Sequence, residues 1–293
     1  MKLNTEQLSE LKDAAIIAGK AAALIISESA SKEIKAEHKP SGTSPAGQVV
    51  TEVDHKAQEA ILNILSPTIH KFDLGLLTEE TDDDKSRLQK DYFWCIDPLD
   101  GTLPFVEKRP GYSVSVALIA KSGIPVVGVV VDPVSGDVYH AVNGNGAYLN
   151  NEKIIADNAG KKEELFKIVL EKNYLSIEQY DKYVSELLQA LKKEGYNNCI
   201  IAEGGGGVMN ACSLIKSQGC YFKLPKKTKG GGCFWDYAAI SCLFNELGFF
   251  ACDFNGEALQ LNKPDTIYMN ETGVLFCANE TVKKRMMEVA RSI

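Results

Sequence analysis

FWCIDPLDGT, residues 93–102, is an apolar run that ends in two aspartates, Asp97 and Asp100. A strand that terminates this way brings both carboxylates and the Leu99 carbonyl into one small volume, where the negative charges would repel each other. A hard divalent cation with oxygen ligands removes that repulsion. Mg²⁺ fits because it binds proteins through few carboxylates and completes its shell with water and substrate phosphate. The stretch therefore predicts a magnesium site at the end of a buried strand.

The two residues after the aspartates suit a phosphate group. Gly101 can bring a bare backbone N–H against an anion, and Thr102 adds a hydroxyl at the expected start of a helix. Metal and phosphate sites would then adjoin. The sequence DPLDGT is also typical of a turn followed by a helix cap. These six residues alone therefore leave open whether the stretch is a ligand site or only a turn.

Around this stretch, short apolar segments separated by Gly, Pro and Asp turns predict a sheet. The predicted strands cover residues 74–77, 92–96, 112–120, 125–131 and 137–141. Because no helix interrupts them, the sheet should be mostly antiparallel. Glu79 and Glu80 follow the first of these strands, so acidic groups again collect at a strand end.

Helical spacing of apolar residues flanks the sheet on both sides. It predicts helices over residues 5–29 and 54–65, with a Pro- and Gly-containing loop over 35–47, and later over 177–193, 211–215 and 236–247. A further strand is predicted at 199–202. The composition shifts after Asn150, so we expect an N-terminal α+β domain over 1–155, which carries most of the acidic motifs, and a C-terminal α/β domain over 156–293.

Composition excludes several classes of protein. The chain has 293 residues, 45% hydrophobic and 24% charged, which is ordinary for a globular protein. Its formal net charge of -7 argues against nucleic acid as a partner. The longest apolar stretch, 14–26, contains Lys20 and falls short of the roughly 20 residues that a membrane span needs. Eight cysteines without a CxxC pair indicate use in the core and a reducing, cytoplasmic location, and four scattered histidines argue against zinc proteases.

Five motifs occur in an order and spacing that match one family. They are VVTEVD (49–54), TEE (78–80), FWCIDPLDGT (93–102), GNGAYLN (144–150) and FWDYAA (234–239). With them the sequence resembles the inositol monophosphatase superfamily, which includes inositol monophosphatases, bisphosphate nucleotidases and fructose bisphosphatases. The resemblance covers residues from about 45 to 280 and is most specific in the two aspartate motifs.

The resemblance implies an α+β fold, a layered αβαβα sandwich of the sugar-phosphatase type, and a metal-dependent phosphomonoesterase that is sensitive to lithium. It implies two or three Mg²⁺ ions and these ligands: Glu79, Asp97, the Leu99 carbonyl, Asp100 and Asp236. Asp54, Glu79 and Thr102 would orient or activate the attacking water, and the N–H groups of Gly101 and Thr102 would hold the phosphate. Homodimers are frequent among such proteins, and the expected partner is a small phosphorylated metabolite.

Two departures from the family pattern bear on the substrate. Where inositol-selective members carry an acid before the WD motif, this chain has Lys229, and where nucleotidases commonly carry KEF, it has LPF at 103–105. Lys229 predicts a substrate with a second negative group, as in a 3'(2'),5'-bisphosphate nucleotidase. A lysine that points into solvent is equally consistent with the sequence. A non-catalytic regulatory relative is a further alternative, which the intact set of carboxylates disfavours.

Overall fold

The structure is a computed structural model that describes residues 2–30, 36–38, 49–156 and 163–292. These residues form seven α-helices and 14 strands. The helices are α1 (Thr5–Ser29), α2 (Glu52–Phe72), α3 (Thr102–Val106), α4 (Glu178–Lys193), α5 (Gly207–Ser213), α6 (Phe234–Leu247) and α7 (Glu280–Ser292). The strands are β1 (Ala36–His38), β2 (Val49–Thr51), β3 (Gly75–Thr78), β4 (Tyr92–Asp100), β5 (Ser113–Ala120), β6 (Pro125–Val131), β7 (Val138–Val142), β8 (Gly146–Leu149), β9 (Glu152–Lys153), β10 (Phe166–Glu171), β11 (Cys199–Gly204), β12 (Gly219–Lys223), β13 (Phe250–Cys252) and β14 (Val274–Cys277).

Two large sheets organise the molecule. The first has seven strands in the order β3-β4-β5-β6-β7-β8-β9, and the second has five in the order β11-β10-β12-β14-β13. In the second sheet β10 pairs in parallel with β11 and β12, whereas β14 is antiparallel to both of its neighbours. Strands β1 and β2 form a separate antiparallel pair.

Helices and sheets alternate in five layers. Helices α1 and α2 cover one face of the seven-stranded sheet, and α5 and α6 fill the space between the sheets. Helices α4 and α7 cover the outer face of the five-stranded sheet. Helix α6 is apolar on nearly all sides, which suits a helix that is packed between two layers. The αβαβα sandwich that the resemblance implied is therefore confirmed.

The element predictions differ from the structure in a few places. β3 and β4 pair in parallel, not antiparallel, because residues 79–91 carry the chain back along the sheet between them. The remaining neighbours in that sheet are antiparallel, as expected. The helix predicted at 54–65 continues through Pro67 to Phe72. The helix predicted at 211–215 begins earlier, at Gly207, which is the last residue of a run of four glycines, 204–207.

Three other expectations concern loops, cysteines and domains. The loop predicted over 35–47 lies outside the described residues apart from β1. All eight cysteines are free, and six of them are buried, which agrees with a role in packing. The first large sheet ends at Lys153 and the second begins at Phe166, so each falls within one half of the chain. The division into two domains stays a prediction.

Candidate active site

A cavity of about 500 Å³ opens where β3, β4 and α6 converge. Its walls include the residues after β3, the end of β4 with the first turn of α3, the end of β10, the glycine run before α5, and the start of α6. Strand β4 runs as far as Asp100, with an irregularity in its pairing to β5 between Asp97 and Asp100. That irregularity lets two aspartates from one strand face the same cavity.

Three aspartates gather at the base of the cavity. One carboxylate oxygen each from Asp97, Asp100 and Asp236 lies within 4.8 Å of the others. Burial raises the pKa of Asp97 well above its ordinary value, and the neighbouring charges of Glu79, Asp100 and Asp236 raise it further. Burial, followed by the charge of Asp236, likewise raises the pKa of Asp100. These acids repel one another as they stand, which is the condition that a bound cation relieves.

Each aspartate is oriented by backbone N–H groups. Asp97 accepts a hydrogen bond from the N–H of Leu99 at 3.0 Å. Asp100 accepts two, from the N–H groups of Gly207 and Val208 at 3.1 and 3.0 Å. Asp236 lies in the first turn of α6, where it accepts from the N–H of the residue that caps the helix, Cys233.

The glycine run before α5, residues 204–207, uses its N–H groups inside the protein. Gly205 donates to the Asn210 side chain, Gly206 to the Gly111 carbonyl and Gly207 to Asp100. Close packing explains the glycines. A Cβ at Gly205 would lie 2.3 Å from the Gly111 oxygen, and one at Gly206 would lie 2.3 Å from a carboxylate oxygen of Asp100.

The other predicted catalytic and ligand residues lie close by. Glu79 lines the cavity, and its N–H donates to the Ile96 carbonyl at 3.1 Å, which ties it to β4. Asp54, in the first turn of α2, is 2% exposed and does not line the cavity, but its charge reaches Asp97 and raises the pKa of that group. Thr102 lines the cavity, and its hydroxyl donates to the Leu99 carbonyl at 3.3 Å.

Gly101 occupies a position that only glycine adopts easily. Its φ is +83°, and a Cβ there would lie 2.8 Å from the Gly111 oxygen and 3.1 Å from Gly206. Its place just before α3 leaves the N–H groups of the first helical turn without partners inside the helix. The structure thus brings together, at one cavity, every predicted site residue except Asp54, which lies behind it, and Lys229.

Positive charge reaches the cavity from residues other than Lys229. Lys229 is exposed and is not among the residues that line the cavity, whereas Arg109, Lys172 and Lys223 are. Lys223, at the end of β12, pairs with Glu171 at 2.9 Å, and both side chains are almost buried. Glu171 also accepts a hydrogen bond from the buried Tyr221 at 2.7 Å.

In the sequence, Lys223 is one of four lysines between positions 223 and 229. Its place in the cavity wall depends on where β12 ends beside β10, a pairing that no local pattern reveals. A charged residue at the end of an apolar stretch was the available signal, since the same pattern singled out Asp97 and Glu79, which also line the cavity.

Among the described residues, no helix is both long enough and apolar enough to cross a membrane.

Comparison with known proteins gives a consistent result. The model of the inositol monophosphatase family matches residues 7–293. A Nus factor SuhB of Pasteurella multocida is 30% identical over 213 residues, which cover 71% of this chain and 72% of that protein. A fructose-1,6-bisphosphatase/inositol-1-monophosphatase of Thermotoga maritima is 28% identical over 242 residues, covering 80% and 84%. The solved structure of a Thermotoga maritima IMPase superposes with a TM-score of 0.72 at 22% identity and covers 97% of both chains.

Proposed function

Because the chain belongs to the inositol monophosphatase family, we propose that it is a magnesium-dependent phosphomonoesterase that hydrolyses a small phosphorylated metabolite. The observation that carries the proposal is the group of three aspartates, whose oxygens lie within 4.8 Å of one another in a cavity. Family members are phosphatases, and the cation and the substrate are the parts proposed here.

The residues at the cavity fit a hard divalent cation. All of the candidate ligands offer oxygen, from Glu79, Asp97, Asp100, Asp236 and the Leu99 carbonyl. Carboxylates whose pKa values are raised by burial and by one another have a strong electrostatic reason to bind a cation. Oxygen-only sets of this kind suit Mg²⁺, and five candidate groups are enough for two or three ions that keep part of their water. Bound Mg²⁺ would supply Lewis-acid chemistry, lowering the pKa of water and offsetting charge on the phosphoryl oxygens.

The chain's own groups would orient the reactants. Thr102 and Glu79 line the cavity and are placed to accept or donate hydrogen bonds to the attacking water. Asp54 is proposed to help orient or activate that water, and it lies near enough to Asp97 for its charge to raise the pKa of that group. The N–H groups of Gly101 and Thr102, at the start of α3, are suited to hold the phosphate. In-line attack on phosphorus then needs no covalent intermediate, which agrees with the absence of a His or a reactive Cys from the motifs.

A second candidate function is that of a 3'(2'),5'-bisphosphate nucleotidase or a related bisphosphatase. It is favoured by the positive charge of Arg109, Lys172 and Lys223 at the cavity, which a substrate with one phosphate does not require. Lys229 is exposed and stays proposed as a further contact for such a substrate. The cavity volume of about 500 Å³ suits a sugar phosphate or a nucleotide.

The experiment is a panel of phosphomonoesters assayed for release of inorganic phosphate in the presence of Mg²⁺. Comparison of kcat/KM for inositol 1-phosphate, fructose 1,6-bisphosphate and adenosine 3',5'-bisphosphate separates the two candidates. The Lys229→Ala variant tests the exposed lysine in the same assay. A preference for inositol 1-phosphate that this variant leaves unchanged would dismiss the second candidate. Hydrolysis of none of the panel would favour a non-catalytic relative.

Three further properties are proposed on the strength of the family. We expect inhibition by millimolar lithium, because the family is lithium-sensitive. We expect a homodimer, which size-exclusion chromatography with light scattering would detect. A cytoplasmic location is supported by eight free cysteines, six of them buried, since free thiols persist in a reducing compartment.

A further inference from the structure

Three charged side chains meet at the edge of the cavity, and we name them the rim cluster: Glu107, Arg109 and Lys172. Glu107 bridges the two cations, accepting from Arg109 Nε at 2.5 Å and from Lys172 Nζ at 3.0 Å. Arg109 also donates to the Gly204 carbonyl at 3.2 Å. Lys172 comes from the end of β10 and the other two follow α3, so separate parts of the chain place two positive charges around one carboxylate.

Of the three residues of the rim cluster, the two cations line the cavity and the carboxylate does not. Arg109 and Lys172 are among its lining residues, and Glu107 is not. Their hydrogen bonds to Glu107 lower the pKa of that carboxyl, so it is ionised at neutral pH. The cluster therefore holds one anion between two cations, with the cations facing the space in which a substrate would bind.

The ion pairs of the rim cluster are easier to separate than the other ion pair in the cavity wall, Lys223 with Glu171. The side chains of Arg109, Lys172 and Glu107 are 27%, 50% and 29% exposed, so water can replace the contacts. Exposed pairs of this kind contribute little to stability. Lys223 and Glu171 are only 11% and 12% exposed, and separating them would leave a buried charge without compensation. An incoming anion would therefore exchange with Glu107 far more easily than with Glu171.

We propose that the rim cluster is a subsite for the second anionic group of the substrate, and that Glu107 takes the place of that group when the site is empty. The inference rests on the proposed function, in which the first phosphate lies at the aspartates. It assigns the substrate class: a small molecule that carries a second phosphate, whose oxygens can accept from Arg109 and Lys172 together. Glu107 would then swing toward solvent and act as a competitor for the subsite.

The test compares adenosine 3',5'-bisphosphate with adenosine 3'-phosphate, which differ only in the second phosphate. The measured quantity is the ratio of their kcat/KM values. Arg109→Gln should lower the ratio roughly 10-fold, since one charge-assisted hydrogen bond to the second phosphate is lost. Glu107→Gln should raise the ratio several-fold, because the competing carboxylate is gone. A purely structural role for the cluster predicts a loss in both variants, so the opposite signs are decisive.

A matched control and a binding measurement complete the test. Lys216→Ala removes an exposed lysine that pairs with Asp137 away from the cavity, and it should leave the ratio unchanged. Calorimetric titration of adenosine 3',5'-bisphosphate in EDTA measures binding without turnover and should show the same signs for Arg109→Gln and Glu107→Gln. Binding that follows these signs without any phosphate release with Mg²⁺ would overturn the proposed function alone. Phosphate release with an unchanged ratio in both variants, or no binding of the bisphosphate, would overturn the subsite.

Discussion

Arg87 is a fully buried cation next to the candidate active site, and replacing it with methionine should destabilise the protein markedly. Its guanidinium donates to Asp83 at 2.8 Å, to the Asn262 side chain at 2.7 Å and to the Lys263 carbonyl at 2.9 Å. It also lies over the ring of Phe234, the first residue of α6, at 5.6 Å. Arg87 thus joins the segment after β3 to the helix that carries Asp236.

The cost can be worked out from these contacts. Burial alone would raise the pKa of Asp83, but hydrogen bonds from Lys85 and Arg87 outweigh it and lower that pKa. Removal of one member of a buried pair costs about 3–5 kcal/mol, and we take the lower end because Lys85 still binds Asp83. About 3 kcal/mol corresponds to a drop in Tm of roughly 5 °C for a chain of 293 residues.

Denaturant unfolding of Arg87→Met and Asp83→Asn, alone and combined, measures the coupling between the two residues. The matched control is Lys85→Met, which removes the other cation that binds the Asp83 carboxylate. Lys85 Nζ lies 2.9 Å from an Asp83 oxygen, but its side chain is 51% exposed. We expect that control to cost less than about 1 kcal/mol. Equal losses for Arg87→Met and Lys85→Met, or additive effects of Arg87→Met and Asp83→Asn, would refute the reasoning.

Three further predictions concern the aspartates and Thr102. Asp97→Asn removes one negative charge at constant shape and should lower kcat at least about 10²-fold in a phosphate-release assay, because a bound metal supplies several kcal/mol of transition-state stabilisation; near-normal turnover would show that Asp97 is not a ligand. Thr102→Ala should slow the chemical step while metal affinity, followed by Mn²⁺ titration, stays nearly intact; a collapse of that affinity would mean that the hydroxyl supports the metal instead. Burial and mutual repulsion raise the pKa values of Asp97 and Asp100 in the metal-free folded protein. Above pH 3.8 the folded protein therefore keeps protons on these groups that the unfolded chain has lost. The free energy of unfolding should consequently fall as the pH rises from 3.8 through the folded-state pKa values. Saturating Mg²⁺ should flatten this dependence of the unfolding free energy on pH, and so should Asp97→Asn in EDTA. Denaturant unfolding between pH 5 and pH 8 measures it, and the same dependence with and without Mg²⁺ would contradict the prediction.

The acidic half of the candidate site could be predicted from sequence because each candidate ligand follows directly on a strong local pattern. Asp97 and Asp100 end an apolar strand, Glu79 follows another, and Asp236 opens an apolar helix, so their placement depends on a single element each. The convergence of those elements was predicted from the family resemblance, and the match of the family model to residues 7–293 confirms that resemblance.

The basic half of the site and its supports could not be predicted in the same way. Lys172 and Arg109 meet only because Glu107 lies between the ends of two distant segments, and that depends on long-range packing. Arg87 lies in a strongly polar stretch, residues 81–90, yet it is fully buried, because Asn262 and Lys263 accept hydrogen bonds from it across 175 and 176 residues of sequence. The partners of the glycine run, which are Asn210, Gly111 and Asp100, lie far along the chain from it or in another element, and no local pattern reveals them.

The most direct test of the account measures phosphate release by the purified protein in Mg²⁺, then in excess EDTA, and again after Mg²⁺ is restored. Adenosine 3',5'-bisphosphate and inositol 1-phosphate serve as substrates, and Asp97→Asn serves as the matched variant. We expect turnover in Mg²⁺, loss in EDTA, recovery when Mg²⁺ is restored, and little turnover at any stage in the variant. Full turnover of the wild-type protein in excess EDTA would contradict this expectation.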